Sequence, residues 1–216
     1  MENDDVKIEN IDGITRVITN KGLKVNFLNI YEALEEKNPR NVFLNGQLYI
    51  EDRVDMIISG YFGHDNSIRH SSILKFLKSE HCDFFSKIKF LSMLINAYKK
   101  NNKGKKEVVP FIDNKKIISS LRTIGEVRNS FQHNLVFEEA FINAIKNGKT
   151  FKLTNKRLDT CKSIQDLVDM FKEEAILLVD ELDKIILKEF ATHKIDIETL
   201  KKILANPESD KEGKTN

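Results

Sequence analysis

Between Leu121 and Asn134 the chain carries Arg128, Asn129 and His133 close together, a set suited to moving a proton beside an anion. An imidazole, with an unperturbed pKa near ~6.5, takes up and returns a proton at neutral pH. A guanidinium offers fixed paired donors to phosphate oxygens. Asn129 stands one helical turn before His133, where its amide can orient the ring or contact a phosphate. Read from Ile117 at about 100° per residue, Ile117, Leu121, Ile124, Phe131 and Leu135 form one apolar stripe with Arg128 near its middle. Arginine does not shed its charge by losing a proton. On a buried stripe it needs a carboxylate, a cleft open to water, or a partner surface.

The order Arg-Asn-x-x-x-His resembles the R-N-x-x-x-H signature of the HEPN superfamily, all-helical domains of which many are metal-independent endoribonucleases. The apolar segment Phe84 to Asn96, preceding the Arg-Asn helix, is similar to the mannitol-operon-repressor-like branch. The resemblance covers roughly Phe43 to Leu135, and Gln132 stands where that branch more often has a small residue. It implies a single HEPN-like helical bundle and cleavage of RNA without a metal or other cofactor, leaving 2′,3′-cyclic phosphate and 5′-hydroxyl ends. Such a reaction needs a base for the ribose 2′-hydroxyl, an acid for the departing 5′-oxygen and positive donors for the phosphate. His133 and Arg128 supply those types, with Asn129 positioning phosphate or imidazole. The resemblance also implies a toxin or defence effector with RNA as substrate and an antitoxin or regulatory protein as a possible partner.

One geometric relation resists a site within one chain. Residues five apart on a straight helix differ by about 140°, so His133 faces away from Arg128. Either the helix loosens near Asn134, Arg128 reaches sideways, or the site is assembled across a homodimer. The resemblance favours the dimer. Against catalysis stands a structural reading, in which Arg128 pairs with a buried acid and His133 satisfies helix-end carbonyls. A second function class fits that reading: a non-catalytic regulator or partner-binding module, as in mannitol repressor-like proteins.

Other residues carry weaker signals. Lys99, Lys100, Lys103, Lys105 and Lys106 read as an exposed loop that could hold an RNA backbone. His64, His70, His81 and Cys82 match no helical ligand spacing for a metal. Cys82 lacks the surroundings of a nucleophile and reads as a structural thiol.

The elements that must position these residues are helical. Residues 1 to 12 read as loose, and Ile14 to Phe27 as a small hairpin turning near Asn20-Lys21-Gly22. Phe27, Leu28, Tyr31 and Leu34 predict a first helix stopped at Asn38-Pro39. A second is expected from about Phe43 to Phe62, ended by Gly63, and a short third around Ile73 to Leu77. The fourth, Phe84 to Tyr98, is apolar on so much of its surface that it is expected at the centre. Asp113 is a plausible N-cap for the fifth, with Asn134 ending it in a left-handed conformation. A short helix around Phe137 to Ile145 stops at Gly148, and Thr150 to Thr154 alternate as an extended piece. Ser163 and Asp166 form an acidic capping box for a last long helix reaching Phe190, roughly 42 Å if continuous. Asp196 to Ala205 can form a terminal helix before a polar tail.

Composition agrees. The 216 residues are 31% charged and 40% apolar, with three prolines and nine glycines, as in a helix-rich globular protein. The expected organisation is a 1–25 extension, a 26–205 all-helical domain and a 206–216 tail. A net charge of +2, from 35 basic and 33 acidic residues, provides no global field for nucleic acid, so local clusters must carry that argument. Two cysteines exclude a disulfide framework and favour a reducing cytoplasm. No stretch approaches the apolar length of a membrane span.

Overall fold

The computed structural model describes residues 7–11, 14–18, 24–27, 30–63, 67–101 and 115–190, with side chains described for 30–63, 68–96 and 115–186. Seven helices follow three short strands among them: α1 (Ile30–Leu34), α2 (Pro39–Gly63), α3 (Ser67–Leu77), α4 (Phe84–Asn101), α5 (Lys115–His133), α6 (Phe137–Ile145) and α7 (Ile164–Phe190). The fold is all-α apart from that N-terminal sheet. No described helix is long and apolar enough to cross a membrane.

The expected hairpin is present as β2 (Ile14–Ile18) against β3 (Lys24–Phe27), with Val17 opposite Val25. Residues 7–11 are not loose, however. They form β1 (Lys7–Ile11), antiparallel to β2 with Ile8 opposite Val17, so that alternating charged residues hid an edge strand. Phe27 consequently belongs to β3, and the first helix shrinks to five residues.

Pro39 starts a helix where a stop was expected. Its fixed φ and missing N–H suit the first helical position, and Asn38 Oδ1 caps the turn by accepting the Arg40 N–H at 2.9 Å. The resulting α2 has 25 residues and buries Val42, Phe43, Ile50, Val54, Ile57 and Ile58. It packs against α1, α3, α4, α5 and α7. The centre of the bundle is therefore α2 and not α4, which buries Phe84, Ile88, Leu91 and Ile95 but leaves Phe85, Phe90 and Met93 exposed. Helix α4 also continues past Tyr98 to Asn101, so the backbone of Lys99 and Lys100 is helical rather than looped.

Two long helices meet α2 at Phe43. Phe43 lies between Phe131 of α5 and Phe171 of α7, with ring centroids 4.4 and 4.8 Å away. Gly46, one turn on, lets α7 approach. On α7 the expected capping box is realised, Asp166 N–H donating to Ser163 Oγ at 3.1 Å and Ser163 N–H to Asp166 Oδ2 at 3.0 Å. Leu167, Phe171, Ala175, Leu178 and Leu182 of α7 are fully buried. Between α6 and α7, Asn147 and Gly148 take positive φ. Thr150 forms a single bridge with Arg157 in place of a longer extended piece. Asp113, residues 20–22 and 196–216, and the expectations placed on them, lie outside the described residues.

Charge is buried inside α2. Arg53, 1% exposed, donates from Nε to Asp183 Oδ1 at 2.7 Å and from Nη1 to Asp52 Oδ2 at 3.1 Å. Lys87 of α4, 2% exposed, bridges Glu51 at 2.7 Å and Asp55 at 2.9 Å. Burial nonetheless pushes the Asp55 carboxyl up to about 6 against the pull of Lys87. At the far end of α2, buried His70 of α3 pairs with Ser59 Oγ at 3.1 Å.

An alanine at Gly46 would set its Cβ 2.6 Å from Phe171 Cε1, and Phe43 fixes that ring. Gly46→Ala is expected to destabilise by about 1–3 kcal/mol even though alanine favours helix by ~1 kcal/mol. The denaturant midpoint should fall at an unchanged slope. A second expectation concerns acid. Burial lowers the His70 pKa below its ordinary value, so the unfolded chain takes up that proton first. The contribution is present above the unfolded pKa and is lost as pH falls toward the depressed one. Asp55, with its raised pKa, contributes in the opposite sense over the same range, so the His70 share is read by difference: between pH 7.5 and 5.5, His70→Gln should lose less stability, or gain more, than the unaltered chain.

Candidate anion pocket beside Arg128

The position of Arg128 follows from the aromatic junction. With Phe131 locked against Phe43, the residue three before it on α5 must face the first turns of α2. A pocket of about 250 Å³ opens there, lined by Arg40, Asn41 and Leu44 of α2 and by Arg128, Phe131 and Gln132 of α5. Two guanidiniums share it, and no carboxylate is among its lining residues.

Arg128 is half-buried. Its Nη1 donates to Asn129 Oδ1 at 3.1 Å, while its Nε is buried with no acceptor among the described residues. Burial lowers its pKa from the ordinary value and the Glu51 charge opposes that shift, yet no salt bridge joins Arg128 to an acid among the described residues. The stripe itself is as expected, with Ile117, Leu121, Ile124 and Phe131 buried. Leu135 is the exception: it lies beyond the helix end and is 90% exposed.

Helix α5 stays helical to His133. The helix therefore does not loosen before the imidazole, and the 140° separation stands. Asn129 lies about 100° from Arg128 and is linked to it, but His133 is exposed and outside the lining of the pocket. One chain thus brings Arg128 and Asn129 together and leaves His133 apart. Asn134 is not left-handed: among the described residues, positive φ outside glycine is confined to Asn147 and Asn155. Asn134 instead donates from Nδ2 to Ser130 O at 2.7 Å, which satisfies a carbonyl of the last turn.

Arg40 was not singled out by the sequence. Its Nη2 donates to Asn134 O at 2.6 Å and Leu135 O at 3.1 Å, and its guanidinium lies 5.1 Å from the Phe137 ring centroid. It ties the chain immediately after His133 to the start of α2. Its Nε, like that of Arg128, is buried with no acceptor among the described residues. The only sequence signal was Arg40 directly following Asn-Pro, which reads as a cap once Pro39 is placed at the first helical position.

The other candidates are dispersed. Side chains of Lys99 and Lys100 and all of Lys103, Lys105, Lys106 and His64 lie outside the described residues. His70 is buried on Ser59, and His81 is exposed. No His, Cys, Asp and Glu group among the described residues could hold a metal ion. Cys82 is half-buried, and burial raises its thiol pKa, opposite to what a reactive thiolate needs. Comparison with known protein families, curated proteins and solved structures returned no match.

A half-buried arginine with an orphaned donor on an apolar stripe is costly for folding. Arg128→Met, which keeps much of the volume and removes the unpaired group, is expected to raise stability by about 1–2 kcal/mol in denaturant titration. A loss of that size would make Arg128 a structural residue.

Proposed function

We propose that the chain is a metal-independent endoribonuclease of HEPN type, working in the cytoplasm as a toxin or defence effector. The observation that carries this reading is Arg128. The structural alternative required a core carboxylate sealed against it, and among the described residues it has none. In the proposed reaction Arg128 steadies charge on the phosphorane-like transition state. His133 exchanges the proton as general base or acid, and Asn129 holds Arg128 and the phosphate in register. Because the two key residues lie about 140° apart on an unbroken helix, the active form is a homodimer in which His133 of one copy faces Arg128 of the other. Lys99, Lys100, Lys103, Lys105 and Lys106 supply affinity for the RNA backbone. An antitoxin or regulatory protein would hold such an activity in check.

The same separation favours a second reading, a regulatory or partner-binding module with no cleavage. Incubation of the full chain with structured RNAs in EDTA decides between them. Cleavage to 2′,3′-cyclic phosphate ends is expected, with His133→Ala and Arg128→Met each slower by about 10²–10⁴-fold and their helical circular dichroism unchanged. Mixing those two inactive variants should restore about a quarter of the activity, since half the dimers are then mixed and each has one intact site of two. Cleavage that vanishes in EDTA, or that leaves 3′-hydroxyl ends, would overturn the nuclease. Mixing without recovery would overturn the shared site.

A further inference from the structure

We infer that the pocket between the first turn of α2 and the end of α5 is a phosphate-binding site, in which Arg40 is the second guanidinium beside Arg128. The assignment stands on the pocket alone and holds whether or not the chain cleaves RNA. Buried cations elsewhere in the bundle are neutralised: Arg53 by Asp183 and Asp52, Lys87 by Glu51 and Asp55. Around this pocket the pattern breaks. Arg40 and Arg128 both line it, each with a buried Nε that has no acceptor among the described residues, and the remaining polar lining is the uncharged amides of Asn41 and Gln132.

Two like charges in a partly desolvated pocket repel, and each unpaired donor adds the cost of its lost hydration. A phosphate with several acceptor oxygens offsets both costs at once. Arg40 and Asn41 also lie in the first turn of α2, where the positive end of the helix dipole favours an anion. Leu44 and Phe131 supply an apolar wall. At about 250 Å³ the pocket is smaller than the ~300–1,000 Å³ of sites for drug-sized ligands. It suits a phosphate group with part of its attached sugar. That chemistry is shared by the terminal phosphate of a nucleotide and the internal phosphodiester of a nucleic acid.

The test is calorimetric titration of the full chain at fixed ionic strength with inorganic phosphate, and with short 5′-phosphorylated and 5′-hydroxyl oligoribonucleotides. One phosphate per chain is expected to bind, in preference to chloride. Arg128→Met should weaken it at least about tenfold, the scale of one charge-assisted hydrogen bond. Arg40→Gln should do the same, but its contacts with Asn134 and Leu135 also support the fold. Gln132→Glu is therefore the second probe: its carboxylate would occupy the pocket from within, raising the melting temperature while abolishing the phosphate response. Preference for the 5′-phosphorylated oligonucleotide marks a terminal phosphate as the occupant; equal binding of both marks a phosphodiester. No response beyond that to chloride overturns the assignment, as does phosphate binding that survives both Arg128→Met and Gln132→Glu. Phosphate binding without RNA cleavage would sink the nuclease and leave the pocket standing, and cleavage without phosphate binding would do the reverse.

Discussion

The packing of Phe43 between Phe131 and Phe171 is the constraint on which the candidate site depends. These three rings come from α2, α5 and α7 and are all fully buried. They fix how far along α2 the end of α5 can lie, because an aromatic ring in a close-packed core has no second seat nearby. Gly46 allows the approach from the α7 side. Once Phe131 is seated, Arg128 and Gln132 on the same face of α5 have one place to go, opposite Arg40, Asn41 and Leu44. The pocket is thus a by-product of core packing, and its two guanidiniums are held by helices that cannot slide independently.

The rest of α2 shows how this fold treats a charge it buries for structure. Removing one partner of a buried pair costs about 3–5 kcal/mol, although the pair itself is near neutral against an apolar replacement. Arg53 and Lys87 obey that balance, each with carboxylates within hydrogen-bond distance. Their partners include Asp183, on a helix 130 residues away in sequence. Arg128 departs from the rule on the same bundle. Its half-buried guanidinium donates to the Asn129 amide and makes no ion pair among the described residues, and on that difference the phosphate proposal rests.

What the sequence showed depended on whether the causes were local. Helix α5 with its apolar stripe, the capping box of α7 and the Gly63 end of α2 are set by residues within a turn or two, and each was legible. The Asn38-Pro39 pair was ambiguous because proline both ends a helix before it and begins one after it. Only the cap bond to the Arg40 N–H decides between them. The central place of α2 was hidden for a different reason. Gln47, Arg53 and Asp55 are buried there, and a periodicity reading assigns such residues to solvent; Asp183 and Lys87, which pair with Arg53 and Asp55, are remote in sequence. Arg40 was invisible for the same cause, since its interactions are with carbonyls 94 and 95 residues away.

The continuity of α5 sets the remaining condition on chemistry. A helix that ended before His133 would leave the imidazole free to swing toward Arg128. Here Asn134 Nδ2 closes the last turn onto Ser130, and Arg40 holds the carbonyls that follow. These three bonds close the end of α5 and tie the residues just past His133 to the start of α2, while His133 itself is exposed and outside the lining of the pocket. A reaction that uses the imidazole and the guanidinium on one phosphate has to span about 140° of helix surface, which the proposed homodimer does by drawing one of them from a second copy.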